Sequence, residues 1–165
     1  MPTLRWQPLT TLVLSITGLG IATYLTITHF NKAALVCNSG GAINCEKVTT
    51  SPQSVVLGIP VAMLGLLFFV PMIALCLPVA WRSADRRIHL ARLALSITGV
   101  GMIIYLITAE LFLIKAICLW CSGVHLITFV LFVIIVTSAP VVLSPGYGEA
   151  DPDLEGDELL AADPA

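Results

Sequence analysis

The sequence predicts an all-α integral membrane protein, a four-transmembrane-helix bundle with an outer capping loop. Three observations carry that prediction. The mean hydropathy is +0.98, with 58% hydrophobic and 11% charged residues, far outside soluble globular usage. The charges are segregated: seven of the ten acids (Glu149, Asp151, Asp153, Glu155, Asp157, Glu158 and Asp163) lie after residue 148, leaving Glu46, Asp85 and Glu110 in the body. Four apolar segments are long enough to cross the hydrocarbon core, which takes about 20 residues at about 1.5 Å each. No basic patch suits nucleic acid.

The spans run at about 9–30, 58–80, 90–113 and 118–139, and lipid demands that they be helical because no water is present to satisfy their backbone groups. The first lacks a small-residue cleavage site and is too long for a removable signal peptide, so it reads as a signal anchor. Pro60 marks the first turn of the second, where a missing N–H is harmless. Between the second and third lies "WRSADRRIHLAR", with Arg82, Arg86, Arg87 and Arg92, on the same side as Arg5. Lys32, Lys47 and Lys115 lie on the other side. The positive-inside rule puts both termini and the Arg-rich loop in the cytosol and residues 31–57 outside, in a plasma (inner) membrane. Residues 1–143 form one membrane domain. Residues 144–165 are an acidic cytosolic tail with nothing to bury, expected to be disordered.

Spans one and three share a repeat, "LSITGLGIATYLTIT" and "LSITGVGMIIYLITA", in register at an offset of 81. Gly18 and Gly99 head small-residue faces suited to close helix packing. At the same offset Cys37 falls on Cys118, so each repeated helix leads to an outer cysteine.

Topology sorts the five cysteines four to one. Cys37 and Cys45 lie in the outer loop around a Ser-Gly-Gly spacer, and Cys118 and Cys121 open span four as "CLWC". Cys76 sits roughly 16 residues, or about 24 Å, deeper in span two, where a small buried hydrophobe is the simplest reading. Three readings compete for the outer four. A zinc site uses four thiolates, and C-x2-C is a usual half of one, but the other half is here C-x7-C. Static disulfides suit an oxidising face, although a C-x-x-C bridge closes a tiny loop and adds little. A redox relay uses a helix N-terminus to stabilise a thiolate and a second pair to exchange with it. Cys118, Cys121, His125 and Thr128 lie on one helical face of span four, a polar stripe descending into Leu, Ile, Val and Phe. Such a stripe suits a polar-headed, apolar-bodied ligand such as a membrane quinone. His125 reads equally as a histidine bonded to a neighbouring helix.

Over most of residues 9–139 the chain resembles the vitamin K epoxide reductase family in its bacterial form. The carriers are Cys37 and Cys45, "NCEKVTTSP", "LGIPVAMLG" and "CLWC". The resemblance implies a four-helix bundle around a quinone (menaquinone, ubiquinone or vitamin K), capped by the first outer loop. It implies a quinone-dependent thiol–disulfide oxidoreductase that re-oxidises a thioredoxin-fold partner, supporting disulfide formation in exported proteins. Cys37 then exchanges with the partner, Cys45 passes electrons to Cys118, and Cys121 contacts the quinone. Ser51 matches the family's loop Ser/Thr near the redox centre. His125 stands where animal members carry a Tyr, and Ser54 where they carry an Asn ligand. Many bacterial relatives carry a fused thioredoxin-like domain through a fifth helix. Here about 25 residues remain after span four, so a separate, DsbA-like partner on the outer face is expected.

The alternatives are reduction of a vitamin K epoxide by the same apparatus, and a structural membrane subunit with a disulfide-stapled loop. A DsbB-type oxidase places its C-x-x-C in the first outer loop, the reverse of the order here.

Overall fold

The computed structural model describes residues 6–31, 35–37 and 43–144, so the expected disordered tail lies outside the described residues, apart from Ser144. The fold is helical throughout. Helix α1 spans Gln7–Phe30 and α2 is a short turn, Cys45–Thr49, with a 3₁₀ turn after it at Pro52–Ser54. A two-residue hairpin (β1, Val55–Val56; β2, Ile59–Pro60) leads into α3, Val61–Cys76. Helix α4 (Pro78–Trp81), α5 (Arg86–Thr108), a π-helical segment (Ala109–Ile114) and α6 (Leu119–Val142) complete it.

Among the described residues, three helical stretches are long and apolar enough to cross a membrane: Gln7–Phe30, Arg86–Ile114 and Leu119–Val142. This is an all-α, multi-pass membrane class. The expected second span, 58–80, is not one continuous helix. Val61–Cys76 is apolar but only 16 residues long, because Leu77 takes an extended conformation (φ −57°, ψ 143°) ahead of Pro78. A residue before proline is driven out of the α region by the pyrrolidine ring, so the helix stops there although the apolar run continues. The break leaves carbonyls of the last α3 turn without helical donors. Arg92, 1% exposed, meets one of them: its guanidinium donates to the Leu75 carbonyl at 2.9 and 2.6 Å and stacks 3.9 Å over the Trp81 ring.

Polar side chains inside the helices bond along their own backbone, as lipid requires. Thr11 and Ser15 donate to the carbonyls four residues back at 2.8 and 2.7 Å, and Ser138 ties α6 to α1 through the Gln7 side-chain oxygen at 3.0 Å. The core is built from Ala22, Phe69, Met72, Cys76, Leu131 and Ile135. Cys76 is fully buried here, with its thiol hydrogen-bonded to Thr11 and Ser15. The repeat-related glycines do matching work. A Cβ on Gly18 would overlap the Phe69 ring, and one on Gly99 would stand 2.7 Å from the Phe68 ring. Two adjacent α3 phenylalanines thus dock against the two repeated helices, α1 and α5.

Candidate active site: the cysteine cluster and its cavity

Cys37, Cys45, Cys118 and Cys121 are brought together by short backbone contacts. Ile43 pairs in parallel with Ile117, and the Asn44 N–H donates to the Ile117 carbonyl at 3.1 Å. Cys118 is the next residue on one side of this bridge and Cys45 lies two residues on from the other, so the bridge draws them together. Asn44 also caps α2: its side-chain oxygen accepts from the Lys47 N–H at 2.9 Å. Cys45 and Cys118 are 1% and 0% exposed and belong to one buried cluster, with Val48, Ala109, Ile114 and Ala116, against which Cys37 and Cys121 pack. Cys37 and Cys45 are joined in a disulfide, while Cys118 and Cys121 are free thiols.

Cys118 is not the first residue of the last helix but its N-cap, with extended dihedrals (φ −101°, ψ 118°), and its sulfur accepts the Cys121 N–H at 3.4 Å. It thus lies just ahead of the span, off the helical stripe that the sequence suggests. The Cys121 thiol, hydrogen-bonded to it, holds the Cys118 thiol below the usual thiol range, against the opposing effect of burial. Ahead of it, Lys115 adopts a left-handed conformation (φ 53°) that closes the π-helical segment and turns the chain sharply into Cys118.

The loop cysteine has its own support. The Val36 N–H donates to the Tyr24 hydroxyl at 2.8 Å, and its carbonyl accepts from Trp120 Nε1 at 2.9 Å. The Tyr24 and Trp120 rings lie 4.9 Å apart. The residue before Cys37 is therefore gripped from both sides, by α1 and by the centre of "CLWC".

Below the thiols a cavity of about 90 Å³ is lined by Cys121, His125, Ser51, Ser54 and Glu110. A second, apolar cavity of about 320 Å³ continues between α3, α5 and α6 past Phe68, Gly99 and Thr128, sharing Val61, Leu106, Val124 and His125 with the first. The two make one path from thiol to helix core. His125 is 7% exposed, lines both cavities and has no hydrogen-bond partner among the described residues. An upper chamber edged with polar groups above a long apolar one fits a quinone head and its apolar body.

The family model described as "Vitamin K epoxide reductase family" matches residues 9–136. The chain belongs to the vitamin K epoxide reductase family. No curated protein matches it. Membership makes it an oxidoreductase of a family that uses quinones, and a disulfide beside two free thiols accords with redox chemistry.

For a member of the vitamin K epoxide reductase family, the residues singled out from sequence converge. Cys37, Cys45, Cys118 and Cys121 form one cluster, and Ser51, Ser54 and His125 line the cavity next to it. Neither serine meets a thiol: Ser51 donates to the Val48 carbonyl at 2.8 Å and Ser54 to the Ser51 carbonyl at 2.7 Å. Both hydroxyls therefore shape the loop turn that roofs the cavity. Sequence reasoning missed Glu110, Asn44 and the Tyr24–Trp120 grip. Asn44 before an acidic first turn is a cap signature. Glu110 lies inside the expected third span, where any ionisable residue is a functional candidate. The grip joins positions 84 residues apart and has no local signal.

Proposed function

We propose that this protein is a quinone-dependent thiol–disulfide oxidoreductase that re-oxidises a separate thioredoxin-fold, DsbA-like partner through a cysteine relay. The reading includes four membrane crossings, with α3 and α4 together making the second. Both termini are cytosolic and the cysteines lie on the outer face of the plasma membrane. Residues 1–143 form the catalytic unit.

One observation carries it. Cys45 and Cys118 are buried together, Cys37 lies at the outer edge of that cluster, and Cys121 turns to the cavity. Surface, interior and cavity are thus reached by successive sulfurs. A partner thiolate attacks Cys37, breaking the Cys37–Cys45 bond. The partner's second thiol resolves the mixed disulfide, so the partner leaves oxidised and the loop pair is left as two thiols. Cys45 then attacks Cys118 of a Cys118–Cys121 disulfide, and Cys37 resolves the product. The loop pair is oxidised again and the inner pair holds two electrons and two protons. The observed pairing, with the loop disulfide beside free Cys118 and Cys121, corresponds to this stage. A bound quinone supplies the two-electron sink, with Cys121 and His125 lining its head site and Ser54 its roof.

The test compares single substitutions in purified protein. Cys121→Ser abolishes dithiol-dependent quinone reduction and Cys76→Ser leaves it intact. Cys37→Ser blocks a thioredoxin-fold donor and spares a small dithiol. Equal activity of the Cys121 and Cys76 variants would refute the assignment.

A further inference from the structure

Glu110 is the acidic side chain that the relay as described does not use. It sits on the π-helical turn at the outer end of the Arg86–Ile114 stretch, 6% exposed, and makes no ion pair among the described residues. A carboxyl group set among membrane helices without a cationic partner is costly and marks a functional position. π-Helical turns also concentrate at such positions. Its surroundings are specific. Its carboxyl group shares the cavity wall with Cys121 and His125, its backbone carbonyl accepts the Ala116 N–H at 3.2 Å just ahead of Cys118, and its neighbour Ala109 packs in the buried cluster with Cys118.

The titratable groups around that cavity are few. Helix α6 presents Cys121 and His125, and α1 presents His29. The loop and α3 contribute Val48, Thr49, Ser51, Gln53, Ser54, Val61 and Ala62, none of which titrates. A thiolate leaving into this pocket therefore meets few sources of a proton. Glu110 is the carboxyl group among them.

We propose that Glu110 is the proton-transfer residue of the inner dithiol. The proposal rests on the relay reading above. When the Cys45 thiolate attacks Cys118, the Cys118–Cys121 bond breaks and Cys121 departs as a thiolate. Glu110 gives that thiolate its proton. Cys37 then closes the Cys37–Cys45 bond, releasing the Cys118 thiolate. The two protons that the loop thiols have shed complete the balance: one ends on Cys118 and the other restores Glu110. Two electrons and two protons move inward, and no outside reductant or acid is consumed. In the reverse direction Glu110 takes the proton from Cys121.

The experiment uses quinone-free protein, so its readout is independent of quinone turnover. Transfer between the two pairs is followed by rapid mixing with a reduced thioredoxin-fold donor, which enters at the loop pair, then acid quench, alkylation and mass mapping. Glu110→Gln keeps the size and polarity of the side chain but cannot carry a proton, and is expected to slow inward transfer on the order of 100-fold. Glu110→Ala is expected to be slow and partly rescued by added formate. A Gln variant as fast as wild type beside a slow Ala variant makes Glu110 a positioning residue only and overturns the proposal. Because a variant can fail to fold, the wild-type protein supplies a second reading. Its time-resolved infrared spectrum during inward transfer should show a carboxyl C=O band that bleaches as Cys121 takes the proton and recovers as Glu110 is restored, and absence of that transient also overturns the proposal. No transfer between the pairs in wild type would instead defeat the relay itself.

Discussion

Replacing Gly18 or Gly99 by alanine adds the same methyl group at repeat-related positions, yet the surroundings predict unequal costs. At Gly18 the new Cβ runs into the ring of Phe69, which is 1% exposed and packed in the core with Met72 and Leu131. Phe69 also borders the cavity of about 320 Å³, but the overlap at Gly18 is the deeper of the two and falls on a ring held in the core, so the cost lies near the upper end for overpacking, about 3 kcal/mol. At Gly99 the Cβ stands 2.7 and 2.9 Å from Phe68 ring atoms and 2.9 Å from the Thr128 methyl. Phe68 borders the cavity of about 320 Å³ and can retreat into it. That lowers the cost to about 1 kcal/mol, but the ring then fills space that a quinone's apolar body needs. Gly20→Ala and Gly101→Ala are matched controls, with nothing within 4 Å of the added atom. Thermal unfolding in bicelles should place Gly18→Ala roughly 6–12 °C below wild type, on a scale of about 2–4 °C per kcal/mol, Gly99→Ala a third as far, and both controls beside wild type. If the cavity holds the proposed quinone, its KM should rise for Gly99→Ala and stay unchanged for Gly101→Ala. If Gly18→Ala melts with Gly20→Ala, the docking of Phe69 against α1 is not the constraint argued above.

Trp120→Phe keeps an aromatic ring near Tyr24 but loses the donor to Val36. Because Val36 is 77% exposed, water takes over its carbonyl, so the loss is about 0.5–1 kcal/mol. Transfer from the loop pair to the inner pair should slow by roughly two- to fivefold at that energy, measured by quench and alkylation, and an unchanged rate would mean the grip does not position Cys37. The Cys118 thiol is held below the usual range chiefly by the Cys121 thiol. Its alkylation by a small reagent tracks the thiolate fraction, so the rate should persist at pH values below that of an ordinary thiol, about 8.5. In Cys121→Ala the midpoint should move to higher pH, and a midpoint that stays put would assign the effect to the helix cap instead.

The grouping of the cysteines is legible because membrane topology is written in long apolar runs and arginines. The four expected spans and an Arg-rich turn put Cys37, Cys45, Cys118 and Cys121 on one side in the sequence reading, and the structure gathers the same four into one cluster. Hydropathy does not encode where a run of apolar residues changes conformation. Leu77 and Val79 are as apolar as their neighbours, yet Pro78 ends α3, and the Leu77–Pro78 pair, read for backbone sterics, marks the break. The π-helical turn at Ala109–Ile114 has no such mark. Without it, Glu110 reads as one more position on a helix, although its presence in the span is signal enough to ask why it is there. Hydropathy makes Cys118 the first helical residue, whereas it is the cap, a difference of one position that changes its role. A cap sulfur accepts an N–H from the helix, whereas a sulfur within the first turn does not.

The repeat and the relay are connected through the segment after each repeated helix. Helices α1 and α5 perform the same packing task, since Gly18 receives Phe69 and Gly99 receives Phe68. Their continuations diverge. After α1 the chain runs on for more than a dozen residues before α2, and Cys37 is tethered there by two hydrogen bonds to the preceding residue, both of which leave it near the surface. After α5 the π-helical segment carries the helix on to Ile114, the left-handed Lys115 then turns the chain, and Cys118, four residues after that segment ends, is fixed as a buried helix cap. One shared arrangement, a helix leading to an outer cysteine, is thereby specialised in opposite directions. In the relay proposed above, the loop cysteine is the one open to a partner, and the buried cap cysteine hands on to Cys121 at the cavity wall. A disulfide relay needs that asymmetry, because two equally accessible pairs would both exchange with the partner, and two equally buried pairs would exchange with none. Shortening the first continuation would bury Cys37 and remove the entry point, while loosening the second would expose Cys118 to partner thiols and bypass the loop.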